Sequence, residues 1–442
     1  MPSRGTLRAD SVAVEDPGDL LVLASACRGV PVFYWERPSC GAGMVAVGAL
    51  REIRLAGPER FARASVAARA LFSSIETDGA NGACVVGGFG FSDRDPTRAE
   101  WRDFPAARLV LPQLVWTRQA NHCVLTRIWE AGGEGGRDAL LERVRAAAAA
   151  ACRLPAAETA PLVVAGPVRD ERQRWRARVE TVRALIASGG LSKVVVARRR
   201  ELLAQGAVDP ARMLAAARVT RPACFNFWVS RGGSTSFIGS TPELLVRRTG
   251  DHVEASALAG SAPRGADRDE DRRLGQILLA CPKNGREHAL VVSAVKAALE
   301  GMADRILSPA RPELLVLPEA QHLHTPVSGR LVDPRTVVEI AGVLHPTPAV
   351  CGVPREAARA LIEREESERG WYAGAVGWMA ANGDGELAVA LRSALLDDRR
   401  IAVWAGAGIV EGSNPDAELA ETETKMTALF RGLAGDAGDC AA

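Results

Sequence analysis

The chain has 442 residues, and its 55 lysines and arginines almost balance its 53 aspartates and glutamates, which leaves a formal net charge of +2. This balance gives no reason to expect nucleic acid or an anionic membrane as the main partner. Nine cysteines without a C-x-x-C pair, no apolar run of the roughly 18–20 residues that span a bilayer, and charged first residues without a secretory leader together predict a globular, cytoplasmic protein with reduced thiols.

Strand patterns dominate the first part of the chain. Residues 1–20 are polar and are predicted to be a loose segment, whereas residues 21–165 are predicted to form a β-rich portion. Runs of β-branched and aromatic residues predict strands at 32–36, 83–91, 109–116 and 122–129, and helical patterns occupy 58–74 and 137–152. Prolines and glycines between 154 and 170 are typical of a connection.

The second portion, residues 170–435, alternates helices with short strands. Its helical patterns lie at 171–188, 210–219, 267–281 and 285–303. Its strand patterns lie at 192–198, 225–229, 236–239, 243–247, 314–317, 373–381, 387–396 and 400–405. Because the strands follow one another as hairpins more often than as βαβ units, we expect an α+β fold of mostly antiparallel sheets with helices packed on the outside.

Two residues are candidates for acid–base chemistry. Lys193 follows a Gly-Gly turn and precedes an apolar run, so it is predicted at a sheet edge, partly desolvated, where the neutral amine of a general base is favoured. Glu243 follows Pro242 and opens an apolar strand, where a carboxyl that is kept protonated can act as a general acid. For each residue alone, an ordinary structural role is the commoner explanation.

A helix near the C-terminus carries an acidic face. Pro415 is predicted as its first residue, with Ser413 or Asn414 as the N-cap. Three charged residues then share one face at positions i, i+3 and i+7, namely Glu418, Glu421 and Lys425. Two carboxylates one turn apart can hold a hard divalent ion and the lysine a substrate anion, although a solvated charged face is the commoner origin of such a run.

A third carboxylate, Glu287, lies at the start of an apolar helical run and can complete an oxygen-rich Mg²⁺ site with the two glutamates of the C-terminal helix. Its neighbour His288 is predicted to be a structural hydrogen-bonding residue rather than a ligand. His322 and His324 alternate as on a strand, so that one of them can donate to a substrate oxygen, although both can equally be structural.

Glycines and an arginine near the end of the chain suggest binding of an anion. Gly406, Gly408 and Gly412 follow a strand, but the next helix begins too far away for a dinucleotide-binding turn. A better explanation is that these glycines let backbone amides approach an anionic ligand. Arg392, on a predicted strand, can offer its planar fork to a carboxylate.

In this order along the chain, the motifs resemble those of the chorismate-binding enzyme family, and within it those of the isochorismate synthases. The segments that carry the resemblance are 192–198, 239–245, 257–265, 286–288, 321–325, 344–354, 390–393, 405–410 and 418–425. The likeness covers residues 170–435 and extends more loosely to 33–35 and 87–91.

The resemblance implies two antiparallel sheets flanked by helices, with a site between them that uses Mg²⁺ and binds chorismate. Lys193 would activate the water that attacks C2, and Glu243 would protonate the departing C4 hydroxyl. The Mg²⁺ ligands would be Glu287, Glu418 and Glu421. The substrate-binding residues would be Ser261, His322, Ala349, Arg392, Gly406 and Lys425. The resemblance also implies a monomer without an obligate glutaminase partner.

Neighbouring activities stay open. A salicylate synthase keeps the lysine and goes on to eliminate pyruvate, whereas aminating anthranilate and aminodeoxychorismate synthases generally carry another residue there. The segment 344–350 is more similar to the isochorismate-releasing group. Asn284 stands where the family pattern has aspartate, which leaves the geometry before Glu287 open. The residues do not indicate whether the product would serve menaquinone, catechol siderophores or salicylate-derived siderophores.

Two further classes of function have weaker support in the sequence. A nicotinamide-binding oxidoreductase would rest only on the glycines between 406 and 412. A sensor that binds chorismate without catalysis would not require an acid and a base together.

Overall fold

The computed structural model describes residues 6–27, 29–77, 82–120, 122–150, 162–164 and 170–427. The helices within these ranges are α1 (Leu20–Ala26), α2 (Arg60–Ser73), α3 (Glu134–Ala150), α4 (Glu171–Ala187), α5 (Pro210–Thr220), α6 (Arg268–Ala280), α7 (Pro282–Glu300), α8 (Val337–Leu344), α9 (Arg355–Glu365) and α10 (Pro415–Thr427).

The strands of the same ranges are β1 (Leu7–Val14), β2 (Val32–Arg37), β3 (Ala42–Val47), β4 (Arg51–Leu55), β5 (Ile75–Thr77), β6 (Cys84–Phe89), β7 (Ala107–Leu111), β8 (Leu114–Gln119), β9 (His122–Glu130), β10 (Leu162–Val164), β11 (Lys193–Ala204), β12 (Phe225–Ser230), β13 (Thr235–Thr241), β14 (Leu244–Thr249), β15 (His252–Pro263), β16 (Ala303–Leu307), β17 (Glu313–Val316), β18 (Ala320–Leu331), β19 (Gly352–Val353), β20 (Ala375–Ala380), β21 (Gly385–Val389), β22 (Ser393–Asp397) and β23 (Arg400–Ile409).

These strands form two sheets. The larger runs β10-β11-β23-β22-β13-β12-β2-β3-β8-β9-β1-β5, with β19 also beside β11. The smaller runs β16-β18-β15-β14-β21-β20-β6-β7-β4, with β17 also beside β18. Among the described strands, β1 and β5 are parallel and the other pairs are antiparallel. The predicted α+β fold of two mostly antiparallel sheets with outer helices is confirmed.

Strands of both predicted portions lie side by side in each sheet. β2, from the first portion, pairs with β12, and β6 pairs with β20. On β2, Phe33 and Trp35 belong to the core between the sheets, whereas Val32 and Tyr34 belong to a second core beneath α1, α3 and α5. Because both faces of this strand are covered, its sequence is continuously apolar from Val32 to Trp35 rather than alternating.

Two crossings between the sheets bring the candidate residues together. The chain leaves the larger sheet at the end of β13 and enters the smaller one at β14, so Glu243 lies in the crossing. It returns between β21 and β22, where Arg392 adopts a left-handed backbone with φ of 47°. The backbone amide of Val389 donates to the carbonyl of Glu243, and that of Ser240 donates to the carbonyl of Arg392. The crossings therefore hold each other in register.

Three predictions about local structure are wrong. Residues 109–116, expected to be one strand, form the end of β7 and the start of β8, which lie in different sheets. Residues 7–14, expected to be loose, form β1, which pairs along its whole length with β9 and buries Leu7 and Ala9. Residues 387–396, expected to be one strand, form β21 and β22 in different sheets because the chain turns at Arg392. The predicted connection at 154–170 lies largely outside the described residues, and its segment Leu162–Val164 forms β10. In the part of the chain that the structure describes, no helix is long and apolar enough to cross a membrane.

Candidate active site

The crossings open into a cleft of about 660 Å³, measured with its mouth, between the two sheets. Residues from β15, β18, β23, α7 and α10 complete its wall. The predicted site residues that line it are Glu243, Ser261, Glu287, His322, Ala349, Arg392, Gly406, Glu421 and Lys425. Lys193 and Glu418 lie directly behind this wall, each in an ion pair.

Lys193 forms the first ion pair of the site. Its Nζ lies 3.0 Å from Glu287 Oε1, and its side chain is fully buried because β11 is flanked there by β19 and by β23. The expectation of a partly exposed lysine at a sheet edge is therefore wrong. A Cβ atom on Gly408 would lie 2.1 Å from Glu287 Oε1 and 3.0 Å from Lys193 Cε. Because Gly408 has no side chain, it leaves the space that the ion pair occupies.

Glu243 is the candidate acid. Its side chain is buried, and its Oε1 has no hydrogen-bond partner among the described residues. Burial raises the pKa of Glu243 to about 8, although the charges of Lys193, Arg392 and Lys425 act in the opposite direction. The carboxyl is therefore largely protonated at neutral pH, as a general acid must be.

A chain of hydrogen bonds runs along the wall of the cleft. Arg392 Nη2 lies 3.0 Å from His322 Nε2, and His322 Nδ1 lies 2.9 Å from Ser261 Oγ. Arginine only donates, so His322 accepts at Nε2 and carries its proton at Nδ1, from which it donates to Ser261. Burial, and then the charge of Arg392, lowers the pKa of His322 well below its usual value, which keeps the ring neutral. Ser261 in turn interacts with Glu421.

α10 presents its acidic face to the cleft. Its N-cap is Asn414, whose side chain accepts hydrogen bonds from the amides of the first helical turn. Glu418 pairs with Lys283 at 2.6 Å, and Glu421 pairs with Lys425 at 2.5 Å. Lys425 Nζ also donates to the carbonyl of Gly406 at 3.0 Å. The predicted shared face of Glu418, Glu421 and Lys425 is confirmed, and each of the two glutamates on that face pairs with a lysine.

The three carboxylates are not arranged as a preformed metal site. Within the described residues, no group of three or more His, Cys, Asp and Glu side chains is placed to hold a metal ion. Burial, and then the charge of Glu421, raises the pKa of Glu418. Burial lowers the pKa of Lys283, but Glu418, Glu287 and Glu421 raise it above its usual value. The Lys283 ammonium is therefore in contact with Glu418 and also interacts electrostatically with Glu287 and Glu421.

The interaction of three glutamates with one cation indicates that their side chains fit Mg²⁺. All three groups offer hard oxygen ligands, and each of them interacts electrostatically with the Lys283 cation.

The other two candidate histidines, His288 and His324, make structural hydrogen bonds outside the cleft. His288 Nδ1 lies 3.1 Å from the carbonyl of Ala259, and its Nε2 lies 2.8 Å from Thr325 Oγ1, as expected for a hydrogen-bonding residue. His324 does not line the cleft and bonds to Glu313 and Ser256.

Sequence patterns missed several residues of the site. Tyr372 and Trp404 line the cleft, and burial raises the pKa of Tyr372 to about 12. Neither residue belongs to a sequence motif that indicates a functional site. Lys283 and Gly408 lie within or beside quoted motifs, but their partners depend on packing between distant elements.

Comparisons with known proteins agree on one family. A family model described as chorismate binding enzyme matches residues 9–434. The salicylate biosynthesis isochorismate synthase of Pseudomonas aeruginosa is 35% identical over 431 residues, which cover 96% of this chain and 89% of that protein. The isochorismate synthase MenF of Bacillus subtilis is 34% identical over 80% of this chain and 75% of its own length. The solved structure of the menaquinone-specific isochorismate synthase MenF from Escherichia coli superimposes with a TM-score of 0.81 at 27% identity, over 98% of this chain and 96% of that one.

Proposed function

Because the chain belongs to the chorismate-binding enzyme family, we propose that it is an isochorismate synthase, which converts chorismate to isochorismate with Mg²⁺. The observation that carries this proposal is the pair of buried groups at one cleft: an amine, Lys193, and a carboxyl, Glu243, whose pKa of about 8 keeps it protonated. Exchange of one hydroxyl for another across an allylic system needs a base and an acid together.

In the proposed reaction, Lys193 accepts a proton from the water that adds at C2 of chorismate. The C=C bonds shift, the C4–O bond breaks, and Glu243 donates its proton to the departing hydroxyl, which leaves as water. One water is consumed and one released, so substrate and product are isomers. The cycle closes when the proton accepted by Lys193 leaves through the cleft and Glu243 takes up a proton.

The charged wall suits a substrate with two carboxylates. Arg392 and Lys425 lie on the side of the cleft where we place the enolpyruvyl carboxylate, and Ala349 and His322 would contact the ring. Glu287, Glu418 and Glu421 would hold Mg²⁺, which would offset the charge of the ring carboxylate. The fully buried position of Lys193 excludes bulk water from the amine, so that its proton exchange is confined to the cleft.

The decisive experiment is incubation of the purified protein with chorismate and MgCl₂, followed by chromatographic separation of the products. We expect isochorismate, and its absence would reject the proposal. Pyruvate released without a second enzyme would instead indicate a salicylate synthase. Anthranilate formed with added ammonia would indicate an aminating enzyme.

We also propose that the protein acts without a glutaminase subunit, as a monomer in the cytoplasm. The reaction consumes no nitrogen donor. The cysteines that the structure describes are free thiols, which is compatible with a reducing compartment. A sedimentation experiment on the purified protein tests the monomer.

A further inference from the structure

A buried carboxylate behind the cleft holds the arginine assigned to the substrate. Glu319 precedes β18, and its side chain has no solvent exposure. Its Oε1 lies 3.4 Å from Arg392 Nε, and its Oε2 lies 3.1 Å from Arg221 Nε. Although burial alone would raise the pKa of Glu319, the charges of Arg392 and Arg221 lower it below its usual value. The carboxylate is thus ionised between two buried cations.

The contacts of Arg392 are divided between this carboxylate and the wall of the cleft. Its Nε faces Glu319 and its Nη2 donates to His322, which leaves the other N–H groups of the fork for a ligand. Arg392 also sits at the crossing from β21 to β22 with a positive φ, so its backbone is fixed where its side chain enters the cleft. An arginine fork recognises a carboxylate well only when its plane is held.

We propose that Glu319 is a positioning residue for substrate binding: it fixes the guanidinium plane of Arg392, and Arg221 neutralises its second oxygen. The inference rests on the proposed function, because it assigns Arg392 to a substrate carboxylate. Glu319 does not line the cleft, so it acts through Arg392. Without Glu319, the Arg392 guanidinium would lose one of its two fixed contacts and would be repelled by Arg221.

The test compares Glu319→Gln with a matched control, Glu36→Gln. Glu36 is also buried and also lies between two arginines, since it accepts from Arg118 Nη2 at 2.8 Å and lies 3.4 Å from Arg218 Nη1, but it does not line the cleft. An amide offers one acceptor and one donor end, so each substitution satisfies only one arginine. We expect Glu319→Gln to raise KM for chorismate by on the order of 10-fold or more, with a smaller change in kcat. Glu36→Gln should change KM less than about 2-fold.

A double variant separates positioning from loss of stability. In Glu319→Gln combined with Arg221→Met, the amide oxygen is free to accept from Arg392, and no second cation faces the amide nitrogen. We expect KM to return most of the way to the wild-type value. No recovery in a folded double variant, or an equal rise of KM in both single variants, would overturn the inference.

A structural readout keeps this inference distinct from the proposed function. If the wild-type protein forms no isochorismate, the proposed function fails. Crystal structures of the wild type and of Glu319→Gln then still test the positioning role, because we expect the Arg392 guanidinium to be displaced or to occupy several conformations in the variant. An unchanged, well-ordered Arg392 in the variant would overturn the inference.

Discussion

At the scale of single residues, the chemistry depends on a carboxyl that keeps its proton. The Pro242 turn, which is visible in the sequence, predicts that Glu243 is held in a defined direction, but not how deeply it is buried. Its burial follows from its place in the crossing between the two sheets, which is a tertiary feature. The sequence pattern therefore predicts the proposed role of Glu243, and packing raises the pKa of its carboxyl to about 8.

We predict that Glu243→Gln lowers kcat by on the order of 10²–10⁴-fold, because the amide cannot protonate the leaving hydroxyl. In the wild type, kcat should fall as pH rises through about 8, where Glu243 loses its proton. A pH–rate profile of the purified enzyme measures this limb. A profile that stays flat to pH 9.5 would exclude Glu243 as the acid.

The same group links stability to pH. Because the pKa of Glu243 is raised from 4.5 to about 8 on folding, the folded state binds more protons than the unfolded state between these values. Its stabilising contribution is complete below about pH 4.5 and is lost as pH rises through about 8. Glu243→Gln should remove this pH dependence. The Tm of the variant should therefore rise relative to the Tm of the wild type as the pH increases from 5 to 8.

Lys193 and Gly408 belong together at this scale. The sequence suggested a lysine at a sheet edge, but not that a glycine on the neighbouring strand leaves room for its partner Glu287. We predict that Gly408→Ala lowers kcat by more than 10-fold, because the methyl group would displace the ion pair. Gly136→Ala is the control, since a Cβ there meets nothing within 4 Å. Equal kinetics of the two variants would contradict the role of Gly408.

At the scale of elements, α10 brings charge to the cleft. Its cap and its acidic face could be predicted from the sequence, because Asn-Pro fixes the start of the helix and the 3.6-residue periodicity fixes its faces. The partner of Glu418 could not be predicted, because Lys283 belongs to α7 and lies far away in the chain. The arrangement of the acidic face was therefore predictable, and its counterions were not.

We predict that Glu421→Gln raises the Mg²⁺ concentration for half-maximal activity by on the order of 10-fold or more, because a charged oxygen ligand is lost. Glu423→Gln, on the same helix, is the control. Glu423 pairs with Arg198 and Arg200 and does not line the cleft. If the two variants give the same magnesium titration, Glu421 is not a ligand.

At the scale of the whole molecule, the sheets join segments that are far apart in the chain. The pairing of β2 with β12 and of β6 with β20 leaves no local trace, so strand order could not be predicted. Hairpins such as β12–β13 could be, because their strands and turn are contiguous. The start of α8 could also be predicted, because Thr336 and Glu339 form a capping box at the spacing typical of a helix N-terminus.

The N-terminal strand offers a test of this architecture. Leu7 is buried on β1, whereas Val12 of the same strand is 39% exposed. We predict that Leu7→Ala lowers the free energy of unfolding by about 2–3 kcal/mol, and Val12→Ala by about 1 kcal/mol or less, since only the first leaves a cavity. Chemical denaturation measures both values. Equal small losses would mean that β1 adds little to the larger sheet.

The central claim is that water adds at C2 while the C4 hydroxyl leaves, with Lys193 and Glu243 as base and acid. The most direct measurement is mass spectrometry of isochorismate formed by the wild-type protein from chorismate in ¹⁸O-labelled water with MgCl₂. We predict that the product carries one ¹⁸O atom, located in its C2 hydroxyl. Isochorismate without label would mean that the substrate's own hydroxyl migrates, and would contradict the mechanism.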